Sequence, residues 1–181
     1  FFEQGAMRRE AVNPSLSPSM DIQVSSNFER LLFELLGRDG AETARVMADF
    51  AATGKFSLPE AVMGEARSLF SAYRLDDAGT IAEIANTSRD DGMVLDPHSA
   101  VGVSAARRAI ADGTLPDGTP VVALACAHPA KFQDAVEQAT GTLPALPAHL
   151  ADLMQRPERK HLVEASDSAV KALVQERKRS L

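Results

Sequence analysis

Met93-Val94-Leu95-Asp96-Pro97-His98-Ser99-Ala100-Val101-Gly102 and Val121-Val122-Ala123-Leu124-Ala125-Cys126-Ala127-His128-Pro129-Ala130-Lys131-Phe132 share one grammar. In each, an apolar run short enough for a buried strand meets a polar residue, and a proline then opens a helix. The first helix is expected to run to Ala111 and stop at Gly113. The second carries Phe132, Ala135, Val136 and Ala139 on one face and closes at Gly141. Pro116-Asp117-Gly118 supplies the turn between them. Strand, helix, strand, helix with short connections reads as a parallel, doubly wound α/β sheet. Such sheets bind ligands outside the carboxyl ends of their strands, where both junctions lie.

Upstream, the chain is helical by pattern. Pro14 and Pro18 oppose helix, so residues 1–18 are expected to hold a short helix end followed by an extended crossing, with Met20 to Val24 strand-like. Ser26-Asn27-Phe28-Glu29 has the form of a capping box, and Phe28, Leu31, Leu32, Leu35 and Leu36 follow at helical spacing up to Gly37. Ala41 to Ala52 reads as a second helix. Ser57-Leu58-Pro59-Glu60 has the form of another capping box, opening a stripe of Val62, Ala66, Leu69, Phe70 and Tyr73. Asp77 to Arg89 is a further helix, ended by Asp91-Gly92. Past Gly141, Pro144 and Pro147 mark a wrapping linker, then a short helix near Ala148 to Met154 and a last one from about Ser166 to Arg179. The expected division is residues 1–140, with a helical insertion around 41–91, and residues 141–181.

Composition narrows the function classes. The chain of 181 residues is 45% hydrophobic, lacks Trp and has one Tyr, which favours aliphatic helix packing. A net charge of -6 argues against nucleic-acid and anionic-membrane partners. The basic cluster Arg177, Lys178 and Arg179 suits the C-terminal end of a solvated helix. A single cysteine excludes an intrachain disulfide and fits a reducing compartment, so the cytoplasm is expected. The longest apolar run, Val121 to Ala127, is too short to cross a bilayer.

Taken alone, the chemistry-bearing residues leave several readings open. Asp96 and His128 suit simple helix capping. Cys126 and His128, two apart, share a face in an extended segment. They could form a thiolate–imidazole pair or half a metal site, or Cys126 could be a small buried hydrophobe. Of the five lysines, Lys131 alone is near a strand exit, but it sits in a first helical turn beside core-facing Phe132 and is expected to face solvent. No glycine-rich phosphate cradle is present.

Three ordered blocks add to this: Leu16-Ser17-Pro18-Ser19-Met20-Asp21-Ile22-Gln23-Val24-Ser25-Ser26-Asn27-Phe28-Glu29-Arg30-Leu31-Leu32, Asp96 to Gly102, and His128 to Phe132. On these the chain resembles the threonine synthase family, of the bacterial and fungal type. The resemblance implies the tryptophan-synthase-like α/β fold, type II among pyridoxal-phosphate enzymes. It also implies a lyase that converts O-phosphohomoserine and water to threonine and phosphate. In that family the cofactor-holding lysine and the phosphate loop lie upstream of these blocks. A chain opening at Phe1 is therefore expected to be the C-terminal part of a longer enzyme, with no catalytic residue of its own and the N-terminal part as its partner. The family usually has threonine where Cys126 stands, its hydroxyl meeting the cofactor's pyridine nitrogen, and the resemblance carries that place to Cys126. It also sets Ser17, Ser19, Met20 and Asp21 along the cofactor's face and makes Asn27 and Arg30 candidates for substrate binding. Two other readings stay open: a threonine-synthase-like phospholyase that only eliminates phosphate, and a helical interaction module.

Overall fold

The computed structural model describes residues 1–178, so Arg179 of the expected basic cluster lies outside the described residues. The chain divides into two units, Phe1–Ala145 and Leu146 onward. The first contains strand β1 (Ala6–Arg8), helices α1 (Phe28–Leu35) and α2 (Gly40–Thr53), strand β2 (Lys55–Ser57), and helices α3 (Glu60–Leu69), α4 (Asp77–Asp91), α5 (Pro97–Ala111) and α6 (Gln133–Thr140).

Two cores organise this unit. In the first, Leu32 and Leu35 of α1, Val46 and Phe50 of α2, Phe56 of β2, and Met63 and Ala66 of α3 pack together. The apolar stripe expected of α1 faces inward here, and burying a side chain such as Leu32 contributes about 1.5–3 kcal/mol. Phe56 meets Phe50 edge to face with ring centroids 5.4 Å apart, the arrangement that ring quadrupoles favour. The second core centres on Ile84 of α4, Leu95 just before α5, and Ala100 of α5, with Val103 and Ala139 against them. It holds α5 in place through α4, against which α6 also packs.

The strands differ from the sequence expectation. Among the described residues the sheet is a two-stranded antiparallel ribbon, with Ala6 opposite Ser57, Met7 opposite Phe56 and Arg8 opposite Lys55. Neither strand was expected. A three-residue strand is too short for its period to register, and only the closure of the chain around the phenylalanine cluster pairs the two. Conversely, Met20–Val24, Met93–Leu95 and Val121–Cys126 form no ladder. A strand exists by pairing with a neighbour, and none of the described residues supplies one to Val121–Cys126. Its Val122 and Leu124 are 82% and 75% exposed. Pro18–Met20 is instead a 3₁₀ turn.

Neither capping box forms. Asn27 already has helical dihedrals and its side chain caps nothing, while Ser57 belongs to β2 and Glu60 pairs with Arg67. Aspartates cap instead. Asp39 accepts from Ala41 and Glu42, and Asp76 accepts from Gly79. Helix α3 stops at Leu69, so Phe70 and Tyr73 lie beyond it. The Pro129 helix begins as a 3₁₀ turn, Pro129–Lys131, and becomes α-helical from Gln133.

In the second unit, the stretch near Ala148 to Met154 is two 3₁₀ turns, Ala148–Leu150 and Leu153–Gln155. Helix α7 (Asp167–Arg177) is capped by Ser166, whose hydroxyl accepts from the Ala169 amide. No described helix is long and apolar enough to cross a membrane.

Candidate functional site

The head of α5 joins three of the segments singled out by sequence: Asp96 to Ser99 itself, Ser19 and Cys126. Asp96 stands at the N-cap in extended conformation, Pro97 follows, and the two are buried with His98 and Ser99. Asp96 Oδ1 accepts from the His98 amide at 2.9 Å. This is the expected cap, favoured further by the positive end of the helix dipole.

The carboxylate does more than cap. Its Oδ1 also meets His98 Nδ1 at 3.0 Å, and its Oδ2 accepts from the Ser99 hydroxyl. His98 Nε2 in turn accepts from the Ser19 amide at 3.2 Å. A backbone N–H can only donate, so Nε2 carries the lone pair and Nδ1 the proton, which fits a carboxylate partner. The Ser99 oxygen, having given its proton to Asp96, accepts from the Cys126 amide at 3.1 Å. One buried carboxylate thus joins the 17–20 segment, the head of α5 and the 126–128 junction, the three blocks of the sequence. None of the buried side-chain polar atoms described lacks a partner. Sequence reasoning saw Asp96 only as a cap; the hydroxyl three residues on, at Ser99, was the available sign of a second role.

The candidate cofactor residues fall around this network. Ser17 is buried, and its hydroxyl lies 3.3 Å from that of Ser15. Asp21 accepts from the Ser15 amide and the Ser15 hydroxyl, each at 2.8 Å, which closes the turn preceding Met20. Met20 is half exposed. The Leu16 amide donates to Asp77 at the start of α4. Cys126 is a free thiol at the surface rather than a core residue, and among the described residues its Sγ hydrogen-bonds only the Leu124 carbonyl, at 3.4 Å.

The competing readings find less support. His128 Nδ1 accepts from the Ala130 amide at 3.1 Å, capping the 3₁₀ turn. No hydrogen bond joins His128 to Cys126 among the described residues, nor is there a metal-ligating cluster among them. A cavity of about 540 Å³ beside His128, Val136 and Thr140 takes in none of the expected cofactor residues. Lys131 is exposed and stacks its ammonium over Phe132, 5.7 Å from the ring centre. Asn27 accepts from the Ser25 hydroxyl; Arg30 is exposed on α1 and makes no ion pair among the described residues.

Comparison with known proteins places this arrangement. A family model described as the C-terminal part of threonine synthase matches residues 99–174. Threonine synthase from Pseudomonas aeruginosa is 47% identical over 92% of this chain and 35% of its own length. The crystal structure of pyridoxal-phosphate-bound threonine synthase from Brucella melitensis superposes with a TM-score of 0.82 at 44% identity, over 99% of this chain and 38% of that one. Yeast threonine synthase gives 0.79 at 30% identity, over 97% of this chain and 39% of that one. The chain thus spans little more than a third of the relatives it matches.

Proposed function

We infer that this chain, which belongs to the threonine synthase family and has its type II fold, serves the conversion of O-phosphohomoserine and water to threonine and phosphate. The likeness along almost the whole chain to a pyridoxal-phosphate-bound threonine synthase carries the reading. On this reading the chain works with an upstream part of the same enzyme, which supplies the cofactor-holding lysine and the phosphate loop. Residues 1–140, with 41–91 as a helical insertion, are the C-terminal part of the cofactor-binding large domain, and 141–181 follow as a separate C-terminal segment. The single cysteine and this metabolic role together suit the cytoplasm.

The residues present fit the cofactor. Cys126 has an exposed thiol that makes a long hydrogen bond to the Leu124 carbonyl, so it remains accessible to the pyridine nitrogen. Pyridoxal phosphate, when bound, supplies an electron sink for the carbanions of phosphate elimination. The chain's own contribution is placement. Cys126 offers a neutral, weak hydrogen-bonding group where a carboxylate would hold a proton on the ring. Ser17, Ser19, Met20 and Asp21 line the cofactor's face. Met20 contributes a free apolar side chain, while Asp21 acts by holding the Ser15 turn. Asn27 and Arg30 are the candidates for the substrate, Arg30 as a cation facing solvent.

The test is turnover by the complete enzyme with O-phosphohomoserine, following threonine and phosphate together. Equal yields support the reading. Phosphate without threonine would assign a phospholyase, and no turnover with bound cofactor would leave an interaction role.

A further inference from the structure

We propose that Asp96 is a positioning residue for the cofactor site: through Ser99 and His98 it locks the main chain at Cys126 and at Ser19 into one register. The proposal rests on the reading that Cys126 and Ser19 flank the cofactor, and it assigns the group that sets their separation.

Helix capping accounts for one of the carboxylate's contacts, the His98 amide. It requires neither the His98 ring nor the Ser99 hydroxyl, and yet each of these passes the carboxylate's acceptor character to a backbone N–H outside the helix. The donor accounting is strict. Ser99 has one proton, and giving it to Asp96 leaves lone pairs for the Cys126 amide. His98 likewise gives Nδ1–H and keeps Nε2 free for Ser19. An amide in place of Asp96 has one acceptor and one donor end, so it can accept from only one of the two arms, and either the His98 ring loses its acceptor or the Ser99 hydroxyl must turn away. Asp96, His98 and Ser99 are 1%, 5% and 3% exposed, so water does not compete for these bonds. Val121–Cys126 has no backbone ladder among the described residues, which makes the Ser99 bond the main-chain anchor at Cys126.

The experiment uses the complete enzyme with Ser99→Ala, Ser99→Thr, Asp96→Asn and, as a reference, Cys126→Ala. Three quantities are read: the cofactor dissociation constant, the alkylation rate of the Cys126 peptide in cofactor-free enzyme, and the melting temperature. Ser99→Ala is expected to weaken cofactor binding about fivefold, the worth of one neutral hydrogen bond, and to change the alkylation rate. Ser99→Thr, which keeps the hydroxyl, is expected to restore both, and Asp96→Asn to behave like Ser99→Ala if it folds. A Ser99→Ala enzyme that melts lower but keeps wild-type affinity and alkylation would overturn the proposal in favour of plain capping. If Cys126→Ala leaves the affinity unchanged while Ser99→Ala still alters alkylation, the anchoring of Cys126 is supported and the Cys126–cofactor contact is what fails.

Discussion

The Ser19 amide donates to His98 Nε2 at 3.2 Å across 79 residues of sequence. That bond fixes the tautomer of His98, orients its Nδ1–H toward Asp96 and ties the 3₁₀ turn at Pro18–Met20 to the head of α5. Everything expected of this site depends on such long-range bonds holding short, irregular segments.

Cys126 is the residue whose replacement discriminates most. In the complete enzyme, Cys126→Thr is expected to keep activity, since a hydroxyl donates better than a thiol. Cys126→Ala should weaken cofactor binding by about 1 kcal/mol. Cys126→Asp should be far worse, because it protonates the ring nitrogen or leaves a carboxylate unpaired at the site. Wild-type turnover and cofactor absorbance in Cys126→Asp would remove Cys126 from the site.

Borohydride reduction of the cofactor-loaded enzyme, followed by peptide mapping, is expected to mark a lysine outside this sequence. Lys131 is committed to the Phe132 face at the surface. Specific labelling of Lys55, Lys131, Lys160, Lys171 or Lys178 would overturn the placement of the catalytic lysine upstream.

Val122 and Leu124, two apart, are exposed in an apolar stretch that forms no ladder among the described residues, and unpaired backbone of this kind is a template for pairing with other chains. Expressed by itself, this chain should aggregate, and Val122→Lys should keep more of it soluble. A sharp, cooperative melt of the unsubstituted chain as a monomer would contradict this.

Leu32 is fully buried in the first core and Leu162 is 93% exposed. Leu32→Ala is expected to cost about 2–5 kcal/mol in the complete enzyme, whereas Leu162→Ala should stay within about 0.5 kcal/mol. Denaturant midpoints at constant slope provide the comparison.

The Thr114 hydroxyl, with the Tyr73 hydroxyl and the Thr114 amide, holds the Asp112 carboxyl below its ordinary value of 3.8. A depressed folded value means that the contribution is present above 3.8 and fades as pH falls through the folded value. Thr114→Val is expected to raise the Asp112 titration, read by NMR. An unchanged midpoint would mean that the Thr114 bond is not what lowers it.

The helices were legible from sequence because their evidence is local. Phe28 to Leu36, Asp77 to Arg89 and Pro97 to Ala111 each carry their own period and stop, and the structure places helices there within a residue or two. The three blocks likewise carried the family resemblance on their own. Strands were another matter. A strand is defined by its neighbour, so the apolar run at Val121–Cys126 could announce its composition but not its partner, and the ribbon of Ala6–Arg8 with Lys55–Ser57 left no periodic mark. The Asp96 network belongs to tertiary structure for the same reason. Sequence shows an aspartate before a proline, and that predicts a cap. Only folding brings the amides of Ser19 and Cys126 to the two groups that the same carboxylate has already oriented.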